Sequence, residues 1–134
     1  MSLFRITDAA SLGLHAMHLL ALHPQKRLSV PEIAQSLGVS ANHMSKVAQR
    51  LARAGLITAQ RGPQGGLQLA RPADTIHLIE IHRAVEGELA PNDCLLGRPA
   101  CPRRCILGDM VRSVNRTIRD YFEQTTLADI AREE

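Results

Sequence analysis

The stretch Leu56-Ile-Thr-Ala-Gln-Arg-Gly-Pro-Gln-Gly-Gly-Leu-Gln-Leu69 decides the fold of this 134-residue chain. It opens with a short run that contains β-branched residues, and it closes with three residues that alternate apolar and polar. Between these two ends lie Arg61, a proline and three glycines. Since Gly and Pro favour turns and period-two alternation favours strands, the stretch predicts a β-hairpin.

The segment before the hairpin predicts two short helices. Ser29-Val-Pro-Glu32 has the pattern of a capping box, and helical spacing follows until Gly38. Ser40 is placed to cap a second helix, whose apolar residues recur at i, i+3, i+4 and i+7: Met44, Val47, Ala48 and Leu51. Two short helices joined by a glycine turn, with a hairpin directly behind them, form a winged helix-turn-helix.

Further helices are predicted on both sides of this unit. Thr7 and Asp8 are N-cap candidates for a helix over Ala9–Leu22, and another short helix is expected over Leu78–Val85. A long amphipathic run follows, in which Ile106, Met110, Val114, Ile118 and Phe122 step by four residues. We predict that this stripe forms a dimer interface; the alternative is that it packs back onto its own domain.

The predicted fold class is therefore mainly α with a small β-hairpin: a winged helix-turn-helix plus a long C-terminal dimerisation helix. We divide the chain into a head at 1–88, a cysteine segment at 89–105, and the dimerisation helix with a C-terminal turn at 106–134. The net charge is +3, with 16 basic residues, which is compatible with nucleic-acid binding but does not establish it.

All three cysteines lie in one short segment, as Cys94, Cys101 and Cys105, with the spacing C-x6-C-x3-C. Three thiols so close in sequence can converge on one point, as iron–sulfur clusters and soft metals require. Zinc, a thiol–disulfide switch without metal, and inert thiols are the alternatives. The neighbouring Arg98, Arg103 and Arg104 could favour thiolates, or could simply be solvated charges.

The second short helix would place polar side chains where base edges are reached. We expect DNA contacts from its cap and first two turns, namely Ser40, Asn42, His43, Ser45 and Lys46. Arg50 and Arg53 would contact phosphates, and Arg61, Gly65 and Gly66 would bring the wing to the DNA backbone or minor groove. The alternative for each polar residue is an ordinary solvated position.

Other classes of protein are less well matched. We find no nucleophile elbow, phosphate loop or paired carboxylates, so neither an enzyme nor a small-molecule substrate is expected. An electron carrier would leave the winged helix-turn-helix without a purpose, and a winged helix that binds only proteins would not need a basic face. No signal peptide or transmembrane run is visible, so we expect a cytoplasmic protein that does not bind membranes.

Four features together resemble a known family of winged-helix bacterial repressors. They are Thr7-Asp8, the run Val39-Ser-Ala-Asn-His-Met-Ser-Lys46, the hairpin Arg61–Leu69, and the cysteine segment before a long helix that ends in Thr126-Leu-Ala-Asp-Ile130. This family includes the iron–sulfur regulator IscR and the nitric-oxide-sensitive repressor NsrR. The recognition-helix residues are closer to NsrR.

The resemblance implies a homodimer on a palindromic operator in double-stranded DNA, controlled by an iron–sulfur cluster that senses nitric oxide, redox state or iron. It implies three cysteine ligands per subunit, with Asp8 of the partner subunit as the fourth, and favours a 4Fe–4S over a 2Fe–2S cluster. IscR-like members use a histidine after the last cysteine, whereas no histidine follows Cys105 here. The uneven cysteine spacing also departs from the family pattern.

Overall fold

The computed structural model describes residues 6–88 and 104–132. Its helices are α1 (Asp8–Leu22), α2 (Val30–Leu37), α3 (Ala41–Arg53), α4 (Leu78–Glu86), α5 (Gly108–Gln124) and α6 (Leu127–Ala131), and its strands are β1 (Ile57–Gln60) and β2 (Gly66–Leu69). A one-turn 3₁₀ helix, Ala73–Thr75, precedes α4. The predicted fold class, mainly α with one antiparallel hairpin, is confirmed.

The helix-turn-helix begins and ends where its capping residues stand. Ser29 Oγ accepts from the Glu32 backbone N–H at 3.2 Å, and Glu32 Oε2 accepts from the Ser29 N–H at 3.1 Å, so the predicted capping box is present. Gly38 ends α2 in the left-handed region at φ 67°, where a side chain would be strained. Ser40 Oγ then accepts from the His43 N–H at 3.0 Å and caps α3.

An aliphatic core joins every helix of the head. Side chains with essentially no exposure lie on five helices: Met17 and Leu20 of α1, Ile33 of α2, Met44 and Leu51 of α3, Ile81 of α4 and Leu127 of α6. Ile76, just before α4, is equally buried. Helices α1 and α4 approach very closely, because a Cβ placed on Gly13 would lie 2.9 Å from a Val85 methyl carbon. The head is thus a packed unit rather than a set of loosely tethered elements.

The hairpin is attached to the rest of the head by hydrogen bonds to Leu28, in the connection between α1 and α2. In the hairpin itself Ile57 pairs with Leu69 and Gln60 pairs with Gly66. The Leu67 N–H donates to the Leu28 carbonyl at 2.7 Å, and the Leu28 N–H donates back at 3.0 Å. The wing therefore extends into a short bridge with the segment that connects α1 and α2.

The C-terminal part differs from the sequence prediction in two ways. Helix α5 begins at Gly108, so Ile106 and Leu107 lie in the preceding turn rather than in the helix. The segment after α5 also returns to the head, where the Leu127 N–H donates to the Ile76 carbonyl at 2.7 Å. Residues 125–132 thus contribute to the core of the head. No helix in the described ranges has the length and apolar character needed to span a membrane.

Candidate nucleic-acid interface

Helix α3 presents one polar face to solvent and one apolar face to the core. Met44, Val47, Ala48 and Leu51 are buried. Since successive residues of a helix are separated by about 100°, the exposed side chains at i, i+4, i+7 and i+11 form one stripe: Asn42, Lys46, Gln49 and Arg53. Asn42, Lys46 and Arg53 are among the DNA contacts predicted from the sequence, whereas Gln49 is not, although the helical period from Asn42 points to it.

The other residues predicted on this helix have different surroundings. Ser40 is exposed, and its hydroxyl oxygen already accepts from the His43 N–H as the cap of α3. His43 and Ser45 are half-buried at the edges of the exposed stripe. Ser40 therefore holds the first turn of α3 in place, and its hydroxyl hydrogen is the part left to donate outward.

Arg50 has an intramolecular partner. Its Nη1 atom donates to the backbone carbonyl of Val85 at 2.9 Å, across the junction between α3 and α4. Val85 is one of the last residues of α4, whose final carbonyls have no partner within the helix. The predicted phosphate contact by Arg50 thus competes with a role inside the protein.

The wing glycines are explained by the chain's own backbone. A Cβ on Gly65 would overlap the carbonyl of Gln60, and one on Gly66 would lie 2.8 Å from the Leu28 carbonyl oxygen. Gly66 also has φ 136°. Both glycines are therefore required to close the hairpin and seat it on Leu28, whatever they do at DNA. Arg61 is exposed at the wing tip.

A cleft of about 880 Å³ is lined by the wing and by the connection between α1 and α2. Lys26 and Arg27 line this cleft together with residues of the hairpin turn. The Arg27 Nη1 atom is buried without a hydrogen-bond partner. Sequence reasoning missed these two cations, since they fall in a connection whose position beside the wing depends on the Leu28–Leu67 pairing.

Of the four predicted metal ligands, the structure places two. Cys94 and Cys101 lie outside the described residues. Cys105 is half-buried in the turn before α5, and Asp8 is exposed in the first turn of α1. Among residues 6–88 and 104–132, no three His, Cys, Asp or Glu side chains come together as a metal site. The Asp8 carboxylate faces outward, as a ligand shared with a second subunit would have to.

Near Cys105, one of the predicted cations is paired. Arg104 donates to the Asp109 carboxylate at 3.2 Å, and both side chains are largely exposed. Arg98 and Arg103 lie outside the described residues. Arg104 is thus paired with a neighbouring carboxylate.

Asp8 also lies close to the recognition helix. With His15 of α1 it lines a cleft of about 340 Å³, which is also lined by Leu37, Val39 and His43. These three residues belong to the end of α2, the turn and the first turn of α3. The predicted metal ligand and the predicted base-reading helix therefore face the same cleft.

The predicted dimer stripe is divided between two environments. Ile106 is 87% exposed, and Met110 and Val114 are also exposed, as is Tyr121, which the prediction omitted. Ile118 is half-buried, and Phe122 packs on the core of its own head. The Phe122 ring lies 6.1 Å from the His82 ring in an edge arrangement. The start of α5 is thus available to a partner, whereas its end anchors it to the head.

Comparison with solved structures finds the same architecture elsewhere. CymR (YrzC), the global cysteine regulator of B. subtilis, superposes with a TM-score of 0.80 at 24% identity, covering 98% of this chain and 99% of that one. IscR of T. potens gives 0.77 at 26% identity, over 97% of this chain and 88% of that one. The oxidised form of Staphylococcus aureus CymR gives 0.76 at 29% identity, over 96% of both.

A winged helix-turn-helix with an exposed polar recognition face defines a winged-helix transcriptional regulator. The chain belongs to the Rrf2 family of iron-dependent transcriptional regulators, whose profile matches residues 6–133. Members of this family bind DNA as dimers. The predicted resemblance to the family of IscR is confirmed, while CymR is as similar to this chain as IscR is, and no particular closeness to NsrR is found.

Proposed function

We propose that this chain is a cytoplasmic, homodimeric repressor that binds a palindromic operator and whose affinity is set by an iron–sulfur cluster. The cluster would be held by Cys94, Cys101, Cys105 and Asp8 of the partner subunit. The observation that carries this proposal is the shared cleft that Asp8 and His43 line, because it places a candidate ligand beside the recognition helix.

DNA reading would be divided between two surfaces. Asn42 and Lys46 project from the first two turns of α3, where an amide can pair with adenine and an ammonium with guanine or phosphate. Arg53 on the same stripe and Arg61 on the wing would contact phosphates. The cations Lys26 and Arg27 extend this basic surface along the wing cleft.

Dimerisation would use the first half of α5. Met110 and Val114 are exposed apolar side chains four residues apart on α5, which is the pattern of a helix that packs against a second helix. The exposed Ile106, in the turn just before α5, would extend this apolar surface. The far end of α5 is fixed to the head through Phe122. A change at the dimer helix would therefore reach the head directly.

The chemistry of the donor set fits a cluster. Three thiolates are the usual protein ligands of iron–sulfur clusters, and a carboxylate is a weaker, oxygen-donor fourth ligand. When bound, such a group would supply an iron site that is open to nitric oxide, oxygen or loss of iron. The chain's own contribution would be to hold Cys105 at the start of α5 and Asp8 at the start of α1, so that both helices respond to the same site.

A thiol–disulfide regulator is the second candidate. The similarity to S. aureus CymR in an oxidised form favours it, and three clustered cysteines permit one disulfide with one thiol left over. Anaerobic purification followed by iron and sulfide analysis separates the two. We expect a coloured, iron-containing protein; a colourless protein whose cysteines form a reversible disulfide would favour the second candidate.

A further inference from the structure

Thr7 makes two contacts with one hydroxyl group. Its Oγ1 atom accepts from the Ala10 N–H at 3.1 Å and so caps α1. The same hydroxyl donates to the Glu86 carboxylate, with 2.6 Å between Thr7 Oγ1 and Glu86 Oε1. The first turn of α1, where Asp8 lies, is thereby tied to the last turn of α4, 79 residues away in sequence.

The adjacent residue of α4 holds the recognition helix. The Val85 carbonyl accepts from Arg50 Nη1 at 2.9 Å, near the C-terminal end of α3. A cation at a helix C-terminus is favourable, because the terminal carbonyls carry partial negative charge and lack partners in the helix. Val85 and Glu86 thus connect α4 to α3 and to α1 through consecutive residues.

The last turn of α4 is tightly packed between α1 and α3. Val85 is buried, and its methyl group stands against Gly13 of α1, where even one added carbon would be crowded at 2.9 Å. Closely packed helices move together, since there is little free volume between them to absorb a displacement. A shift in the first turn of α1 would therefore be passed to α4 and on to Arg50.

We propose that Thr7, Glu86 and Arg50 form a brace through the last turn of α4 that couples the state of Asp8 to the position of the recognition helix. Glu86 and Arg50 are positioning residues: Glu86 acts through Thr7, and Arg50 acts through the Val85 carbonyl. This inference rests on the proposed function insofar as Asp8 is taken as a metal ligand. It assigns Arg50 to an intramolecular contact with the Val85 carbonyl rather than to a DNA phosphate.

The operator affinities of two Glu86 variants test the brace. Removing a carboxylate from a DNA-binding protein should raise its affinity for DNA if only charge matters. Glu86→Gln removes the charge but keeps an oxygen that accepts from Thr7, whereas Glu86→Ala removes both. We expect Glu86→Gln to bind the operator at least as tightly as wild type, and Glu86→Ala to bind about threefold to tenfold more weakly than Glu86→Gln.

Arg50 is tested by the dependence of affinity on salt. Arg50→Gln should weaken operator binding while the slope of log affinity against log salt stays at the wild-type value. A lost phosphate contact would instead lower that slope by about 0.9 for each contact, and this result would overturn the assignment of Arg50. Thermal unfolding of each variant shows whether the chain is still folded. Thr7→Ser is the control for the contact with Glu86, because serine keeps the hydroxyl group, and it should bind the operator as wild type does.

Coupling to Asp8 is read from the ratio of operator affinities with and without bound iron. In Glu86→Ala this ratio should fall towards one, while in Glu86→Gln it should stay near the wild-type value. An Ala variant that binds as tightly as the Gln variant, or that keeps the full wild-type ratio, overturns the brace. A ratio of one in the wild-type protein would overturn both the proposed cluster control and the coupling to Asp8. The difference in operator affinity between Glu86→Gln and Glu86→Ala would still decide whether the brace positions α3.

Discussion

Gly65→Ala should damage the wing while leaving the rest of the head folded. The added Cβ would overlap the Gln60 carbonyl oxygen and lie 2.8 Å from the carbonyl carbons of Gln60 and Arg61. Ordinary van der Waals contact begins near 3.4 Å, so relieving the overlap with the Gln60 oxygen needs a backbone shift of more than about 1 Å. Neither neighbour is a flexible side-chain end, and the hairpin as a whole must therefore give way.

The size of the effect follows from what the shift would break. Two backbone hydrogen bonds join Leu67 to Leu28, at 2.7 and 3.0 Å, and they lie directly beside the altered turn. Losing both would cost about 1–3 kcal/mol of wing stability. If the wing contacts DNA, operator affinity should fall about fivefold to over a hundredfold, as measured by fluorescence anisotropy with labelled operator.

The neighbouring exposed Gln64 supplies the control. Gln64→Ala changes the same turn without crowding any backbone, and it should bind as wild type does. Hydrogen exchange should show faster exchange of the Leu67 amide in Gly65→Ala and unchanged exchange in the core of α3. Wild-type affinity together with wild-type exchange at Leu67 would show that the turn accommodates the added Cβ without disturbing the wing.

Three other perturbations test separate parts of the molecule. Asn42→Ala should lose about 1–3 kcal/mol of operator affinity while affinity for random DNA is unchanged; an equal loss on both would show that Asn42 reads no base. Met110→Glu should shift the dimer to monomer in sedimentation, whereas Arg116→Glu on the polar face should not, and a dimeric Met110→Glu would exclude this half of α5 as the interface. Burial lowers the pKa of His82 below its ordinary 6.5, and Glu86 opposes this only in part, so the unfolded chain binds more protons and stability falls as the pH drops below 6.5. His82→Gln should flatten that loss in thermal unfolding, and the exposed His23→Gln should keep it; equal slopes in both would contradict the burial argument.

Local signals account for most of the fold. Capping residues with one strong physical role, such as Ser29, Gly38 and Ser40, mark helix ends in the sequence and do so in the structure. The hairpin could be predicted because its turn needs glycines and its strands alternate. The start of α5 was misplaced by two residues because Ile106 and Leu107 continue the apolar pattern without being helical. Periodicity alone does not mark a boundary where no capping residue stands.

Long-range contacts were beyond reach from sequence. That Phe122 turns inward while Met110 turns outward depends on where α4 lies beneath the helix. That Arg50 meets the Val85 carbonyl depends on the crossing of two helices 35 residues apart. In the sequence, Phe122 matches the predicted dimer stripe and Arg50 matches the predicted DNA-contacting residues. Helical spacing indicates which residues share a face, but it does not indicate what that face contacts.

The most direct test of the central claim is the operator affinity of the anaerobically purified dimer, measured before and after its iron is removed. We expect an iron-containing protein whose affinity changes at least about fivefold on iron removal, and a Cys105→Ser variant fixed at the iron-free value. An anaerobic protein that contains no iron, or one whose operator affinity is the same in both states, would contradict it.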